Sequence, residues 1–394
     1  MTKSVDQTVM KEMNRSLALD LVRFHGPLSR TQIAQESGLN KATITALINE
    51  LLAEGYVKEV GRGHSYAGRR PVLLAFEAGA GYVLGIDIGV SHIHFALTDL
   101  SARTMVDGQV AMPDNSQVST VLDVCVQAID ECVRKVHDAD LKLRGVGVAV
   151  PGLVDYQTGT VLNAPNLGWR DIPLRSLLED RLRLPVFVDN EANVGALAEK
   201  LFGQAKTLSD FIYISAGMGI GTGIVMNGQL LRGVSGIAGE YGHTVIDLQG
   251  PKCRCGNRGC LEVYASVRAL LERYEKATGR AVDFHTFRAA FLAGDEAARE
   301  CVQGVASYLA IGILHMLHAL NPSAIILGNE LGMISDWLIP PIVQFLQARS
   351  LTATHAAIDV RASALGYDSG IIGAAALAID QHFKGAVHTR APLR

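Results

Sequence analysis

The sequence has no uninterrupted apolar run of membrane-spanning length. Its most apolar stretch, Tyr308 to Leu320, is short and contains His315 and His318, so it reads as a buried helix. The opening segment MTKSVDQTVMKEMNRS is polar and mixed in charge, without the apolar core of a signal peptide. Charged residues make up only 19% against 48% hydrophobic, so 394 residues can bury large cores in two or three domains. Cysteine is scarce as well. Six are present, and Cys125, Cys132 and Cys301 stand apart as ordinary core thiols, which suits a reducing compartment. Together these absences predict a cytoplasmic protein with no membrane partner.

The other three cysteines are concentrated. Cys253, Cys255 and Cys260 fall within eight residues, with His243 upstream and glycines 250, 256 and 259 around them. One imidazole and three thiolates complete a tetrahedral zinc shell with no position open for water, so a single Zn2+ here is structural. Cys-x-Cys followed by Cys, with the histidine upstream, is not the spacing of a DNA-reading finger. Glu240 and Glu262 flank the ligands, so zinc would hold two hydrogen-bond acceptors in place for a polyhydroxylated ligand.

The charge is split. Residues 1–79 carry ten Lys+Arg against eight Asp+Glu, which leaves −5 for the remainder of a chain whose net charge is −3. A basic head on an acidic body fits a nucleic-acid module joined to something else. Helical segments are expected from Val9 to Phe24, from a Ser29 cap to Ser37-Gly38, and from an Asn40 cap onward. In the third, Ile44, Leu47, Ile48, Leu51 and Leu52 form an apolar stripe, while Lys41, Thr43, Thr45 and Asn49 lie on the other side. Tyr56–Val60 and Pro71–Phe76 read as strands of a wing around GRGHSYAGRR. The pattern is a winged helix-turn-helix domain that binds operator DNA. The candidate DNA-contacting residues are Ser29, Thr31, Lys41, Thr43, Thr45, Asn49, Arg62, Arg69 and Arg70, the arginines suiting a minor groove.

From Gly81 the chain reads as α/β. Two apolar hairpins, DIGVSHIHFALTDL and FIYISAGMGIGTGIVMNGQL, echo each other and predict two related lobes with a ligand cleft between them. Asn190 and Glu191 end the strand PVFVDN, just before a helix, where α/β sheets bind ligands. With Asn166 of NAPNLGW they suit sugar hydroxyls, although Asn190 also suits a helix cap. The loop SAGMGIGTG can cradle phosphate or make a tight hairpin, and its glycine content alone does not decide.

Glu240-Tyr241-Gly242-His243 and the run from Cys253 to Glu262 carry the motif E-x-G-H…C-x-C-G-x-x-G-C-x-E. On that motif the chain resembles the ROK family of repressors and sugar kinases over nearly its whole length. The resemblance implies an actin-like, two-lobed α/β body (ribonuclease-H-like, duplicated) behind the winged helix: residues 1–79 the head, 80–190 the first lobe, 191–394 the second, with the terminal helix free to pack back on the first. It implies zinc on His243, Cys253, Cys255 and Cys260, and sugar on Gly152, Asn166, Asn190, Glu191, Glu240, His243 and Glu262. It also implies a homodimer or homotetramer with a monosaccharide or sugar derivative as effector. The family's kinases open with D-x-G-G-T-K, where Asp87-Ile88-Gly89 is followed by Val90, Ser91 and His92. Their second phosphate loop has a hydroxyl where Met218 stands, and their catalytic base is an aspartate where Glu191 stands. These departures predict a sugar-responsive repressor with no catalytic residue. The alternative is an ATP-dependent sugar kinase fused to a DNA-binding head, which the intact glycines and the carboxylate at 191 keep open.

Overall fold

A computed structural model describes residues 7–63, 70–114, 117–136, 142–352 and 357–388. The head opens with α1 (Gln7–His25), a two-residue strand β1 (Leu28–Ser29), α2 (Arg30–Ser37) and α3 (Lys41–Ala53). Both expected caps form. Ser29 and Gln32 make a capping box on α2, and the Asn40 side chain accepts from Thr43 N at 2.8 Å to start α3. Between them Gly38 takes φ 71°, the left-handed conformation that glycine adopts without strain. Ile44, Leu47, Ile48 and Leu51 are buried, and they pack with Leu19 and Val22 of α1. The wing strands β2 (Val57–Arg62) and β3 (Val72–Phe76) pair antiparallel, and β1 adds to β3 as a third strand.

The first lobe is a five-stranded sheet. β4 (Tyr82–Ile88), β5 (His92–Asp99) and β6 (Thr104–Ala111) form an antiparallel meander; after α4 (Val118–Lys135), β7 (Leu143–Val150) joins β4 in parallel. β8 (Leu153–Asp155), β9 (Thr160–Ala164) and β10 (Trp169–Ile172) form a separate small sheet, followed by α5 (Leu174–Leu182). β11 (Val186–Asn190) then joins β7 in parallel, and α6 (Glu191–Leu201) follows at once. The second lobe repeats the order. β12 (Phe211–Ala216), β13 (Ile220–Met226) and β14 (Gln229–Leu230) form the meander, covered by α7 (Glu262–Ala265), α8 (Val267–Thr278), α9 (Phe284–Leu292) and α10 (Glu296–Leu320). β15 (Ala324–Gly328), α11 (Asn329–Gly332), α12 (Ser335–Arg349) and β16 (Asp359–Ala362) complete it. The sheets read β6-β5-β4-β7-β11 and β14-β13-β12-β15-β16, the same topology twice. The echo of hairpins in the sequence is therefore a true duplication. By length and composition alone α10 is apolar enough to cross a membrane, but its Leu309, Ile313 and Met316 are fully buried in the second core.

The second lobe does not keep everything after residue 190. The last helix, α13 (Ser369–His388), returns to the first lobe and packs on β4 and β7, while α6 packs on β12 and β13. The lobes thus exchange helices, which meet face to face. The return needs bare backbone, since a Cβ on Gly147 would lie 1.8 Å from the Ala374 carbonyl oxygen. Gly147→Ala is therefore expected to lift α13 off the sheet and cost about 3 kcal/mol. Denaturant unfolding checks this, and an unchanged midpoint would contradict the packing.

Candidate functional site

The 239–262 loop folds back on itself through the bridges Val245↔Cys260 and Lys252↔Arg258. Gly259 makes the fold possible: its φ is 65°, and a Cβ there would sit 1.6 Å from the Asp247 carbonyl oxygen. The four candidate ligands converge. Cys255 Sγ and Cys260 Sγ are 3.7 Å apart, Cys253 Sγ is 3.7 Å from His243 Nδ1, and all four donor atoms lie within 4.8 Å of one another. Zn–S bonds of about 2.3 Å at tetrahedral angles space sulfurs about 3.8 Å apart, so the donors fit a zinc ion where they stand. Cys125, Cys132 and Cys301 are buried far from this loop in sequence and serve the cores.

Between the lobes lies a cavity of about 190 Å3. All seven residues singled out for a sugar line it: Gly152, Asn166, Asn190, Glu191, Glu240, His243 and Glu262. Two of them are less free than their side chains suggest. Asn190 caps α6, its Oδ1 accepting from Ala192 N at 2.8 Å and its Nδ2 donating to Gly152 O at 2.8 Å. One N–H and one lone pair remain for a ligand. Asn166 Oδ1 accepts from Arg254 at 2.8 Å and Arg268 at 3.4 Å, which turns its amide NH2 away from the arginines. Glu262 reaches across to accept from Ile220 N at 3.1 Å, so the metal loop also supports the glycine loop. That loop is the tight turn of the β12–β13 hairpin, closed by Gly217 N donating to Gly219 O at 3.0 Å. The turn behind Asn190 and Glu191 is held by Asp189, whose Oδ1 accepts from Asn190 N and Asn193, and whose Oδ2 takes Arg232 at 2.7 Å.

Sequence reasoning assigned no role to Asp87, Glu330 or Arg254, which also line the cavity. Glu330 packs on the glycine loop, 2.7 Å from where a Cβ of Gly217 would be. Among the described lining residues, five carboxyl groups face a single guanidinium, Arg254. Burial pushes Glu191 up to about 8 and Asp87 up to about 7, and neighbouring carboxylates add to both. Burial also raises Glu240 and Glu330. The signal for Glu330 was the pair Asn329-Glu330 after the strand AIILG, which repeats the pair Asn190-Glu191 at the end of PVFVDN.

On the head, Thr31, Lys41, Thr45, Asn49, Arg62 and Arg70 are exposed and Thr43 is half-buried. Ser29 does not belong with them. It is 4% exposed, and its hydroxyl is used in the capping box, so it supports α2 instead of facing DNA. Arg69 lies outside the described residues. Arg30, not singled out from sequence, donates to Asn49 at 3.3 Å beside the exposed face of α3.

Comparison with known proteins follows the same division. Residues 83–381 match the ROK family, and residues 19–61 match the IclR helix-turn-helix domain. The chain is 38% identical over 378 residues to the xylose repressor of Bacillus subtilis (strain 168), covering 96% of this chain and 97% of that one. A solved ROK family transcriptional regulator, a homolog of the E. coli MLC protein, superposes with a TM-score of 0.83 at 28% identity over 96% of this chain and 98% of its own. A ROK family glucokinase from Streptomyces griseus, in complex with glucose and AMPPNP, superposes with a TM-score of 0.70 at 30% identity, over 76% of this chain and all of its own.

Proposed function

Because the chain belongs to the ROK family, we propose that its cleft binds a monosaccharide and that binding releases operator DNA from the winged helix. The protein is a sugar-responsive DNA-binding repressor, not an enzyme. The observation that carries the sugar reading is the cleft itself, whose lining brings five carboxyl groups and three side-chain amides together. Carboxylates and amide oxygens accept from sugar hydroxyls, and the amides of Asn166 and Asn190 donate to them. Zinc on His243 Nδ1 leaves Nε2–H as one more donor, a common second bond for a ligating histidine. The metal would supply no chemistry beyond fixing Glu240, His243 and Glu262 in one geometry. A nucleotide is disfavoured by the same lining, since Glu330 lies on the glycine loop where a phosphate would need backbone N–H groups. Two heads on a homodimer or homotetramer would match a two-fold operator, in the cytoplasm.

Thermal melting against D-xylose, D-glucose and N-acetylglucosamine, each with and without AMPPNP, tests this. A millimolar sugar of micromolar affinity is expected to add about 4 kcal/mol. One sugar should shift the melt, and AMPPNP should add nothing. A shift that requires the nucleotide would favour a kinase, and no shift with any of the three would remove the neutral-sugar reading.

A further inference from the structure

Two helices leave the cleft and end at the same place. α6 begins at Glu191 in the cleft wall and runs about 16 Å to Leu201, with Phe202 next in the chain. α13 begins at Ser369, whose hydroxyl bonds Tyr213 at 2.8 Å, and Gly370 lies directly against the Asp87 carboxylate. It carries Phe383 about 21 Å further on. The helices touch without an intervening side chain at Gly373, where a Cβ would be 2.6 Å from Val194 O. One packs on the sheet of the second lobe and the other on that of the first.

At their far ends sits Arg23 of α1. Its guanidinium carbon is 4.9 Å from the Phe24 ring, 5.1 Å from Phe383, 5.6 Å from Phe202 and 5.8 Å from Phe76. One N–H donates to Leu100 O at 3.4 Å. Among the described residues no carboxylate oxygen lies within 4 Å of the Arg23 nitrogens, and the nearby charges of Asp20 and Asp380 act on it from farther off. Beside this cage Tyr56 of the head bonds His382 at 2.8 Å, and its ring meets Phe383 edge-on at 5.6 Å. A cation held by ring faces responds to where the rings stand. Closure of the lobes would slide α6 along α13, a shear motion, and so change the spacing of Phe202 and Phe383.

We infer that the Arg23 cage is the joint through which the cleft controls the DNA-binding head: it reads the offset between the two lobe helices and sets the placement of α1. This rests on the sugar-release reading above. The test uses the full chain, a DNA duplex selected by the protein from a random pool, and D-xylose or D-glucose as the probe. Arg23→Met removes the cation at similar length, and Phe202→Leu alters the cage from the body side. Sugar affinity and sugar-free DNA affinity should stay within about threefold of wild type, while the sugar-induced loss of DNA affinity should shrink about fivefold or more in both variants. A full sugar response in Phe202→Leu overturns the inference, even if Arg23→Met fails to bind DNA. A wild-type protein that binds sugar yet holds DNA unchanged overturns the sugar-release reading, and the joint falls with it.

Discussion

Stripping the metal is expected to weaken sugar binding about a hundredfold or more and to cost several kcal/mol of stability. Structural zinc sites in small peptides carry about 10–16 kcal/mol of apparent binding free energy, and here the ion would gather donors from residues 243 to 260 at one point. Within that loop the described backbone bonds belong to turns and two isolated bridges, among them Ile246 N donating to Gly259 O and Gly259 N donating to Pro251 O, each at 2.8 Å. Glu240, His243 and Glu262 all depend on it, and Glu262 in turn holds Ile220 N of the hairpin. Chelation, or Cys260→Ser, should therefore reduce sugar affinity about a hundredfold or more, beyond the 10–100-fold typical of outer-shell changes. Calorimetric titration after chelation measures the loss, with readdition of zinc but not magnesium restoring it. Purified protein with less than stoichiometric metal and undiminished sugar affinity would refute the zinc assignment.

Sugar affinity is expected to rise with pH, by up to about fiftyfold from pH 6 to pH 8, and then level off. In the sugar-free cleft, burial and the surrounding carboxylates hold Glu191 at about 8, so at neutral pH it is mostly protonated. A carboxylate accepts from two hydroxyls where the protonated acid accepts less well, so sugar prefers the ionised form and releases a proton on binding. The gain is at most tenfold per pH unit below the free value and ends above it. Glu191→Gln should bind more weakly at pH 8 and show a shallower profile, the remainder belonging to Asp87 at about 7. The same group acts oppositely on the empty protein. Its folded value lies above its ordinary 4.5, so its contribution to folding is complete below that and is lost as pH rises through about 8. Titrations in buffers of different ionisation enthalpy count the proton, and a pH-independent wild-type affinity would rule this out.

The parts legible in the sequence were those written in local chemistry. Ser29, Gly38 and Asn40 announced the helices of the head because capping involves only neighbours in the chain. The His/Cys cluster that could hold a metal was legible because three of its four members fall within eight residues. The duplicated lobes were legible because each opens with the same hairpin pattern. What escaped depends on residues far apart in the chain. β1 is two residues long and exists only because β3 is there to pair with it. The small sheet of β8, β9 and β10 has no apolar run of its own to betray it. Asn166 looked like a free amide, yet arginines 88 and 102 residues away take its oxygen. Ser29 was legible as a cap but not as buried. The family resemblance identified the cleft residues but not Glu330, whose role follows from its contact with Gly217 across the chain.

The return of α13 also bears on biosynthesis. A ribosome delivers the head and all five strands of the first sheet long before it delivers residues 369–388. Until then the bare strip of Gly85 and Gly147, and the apolar residues around it, have nothing to cover them. The nascent chain therefore spends nearly half of its synthesis, from residue 190 to residue 369 of 394, with an unfinished first lobe, exposed in the way that invites aggregation or chaperone capture. The last helix to be made also supplies Phe383 and His382 to the head's contact surface. A truncated product thus lacks the contacts that Tyr56 of the head makes with the last helix.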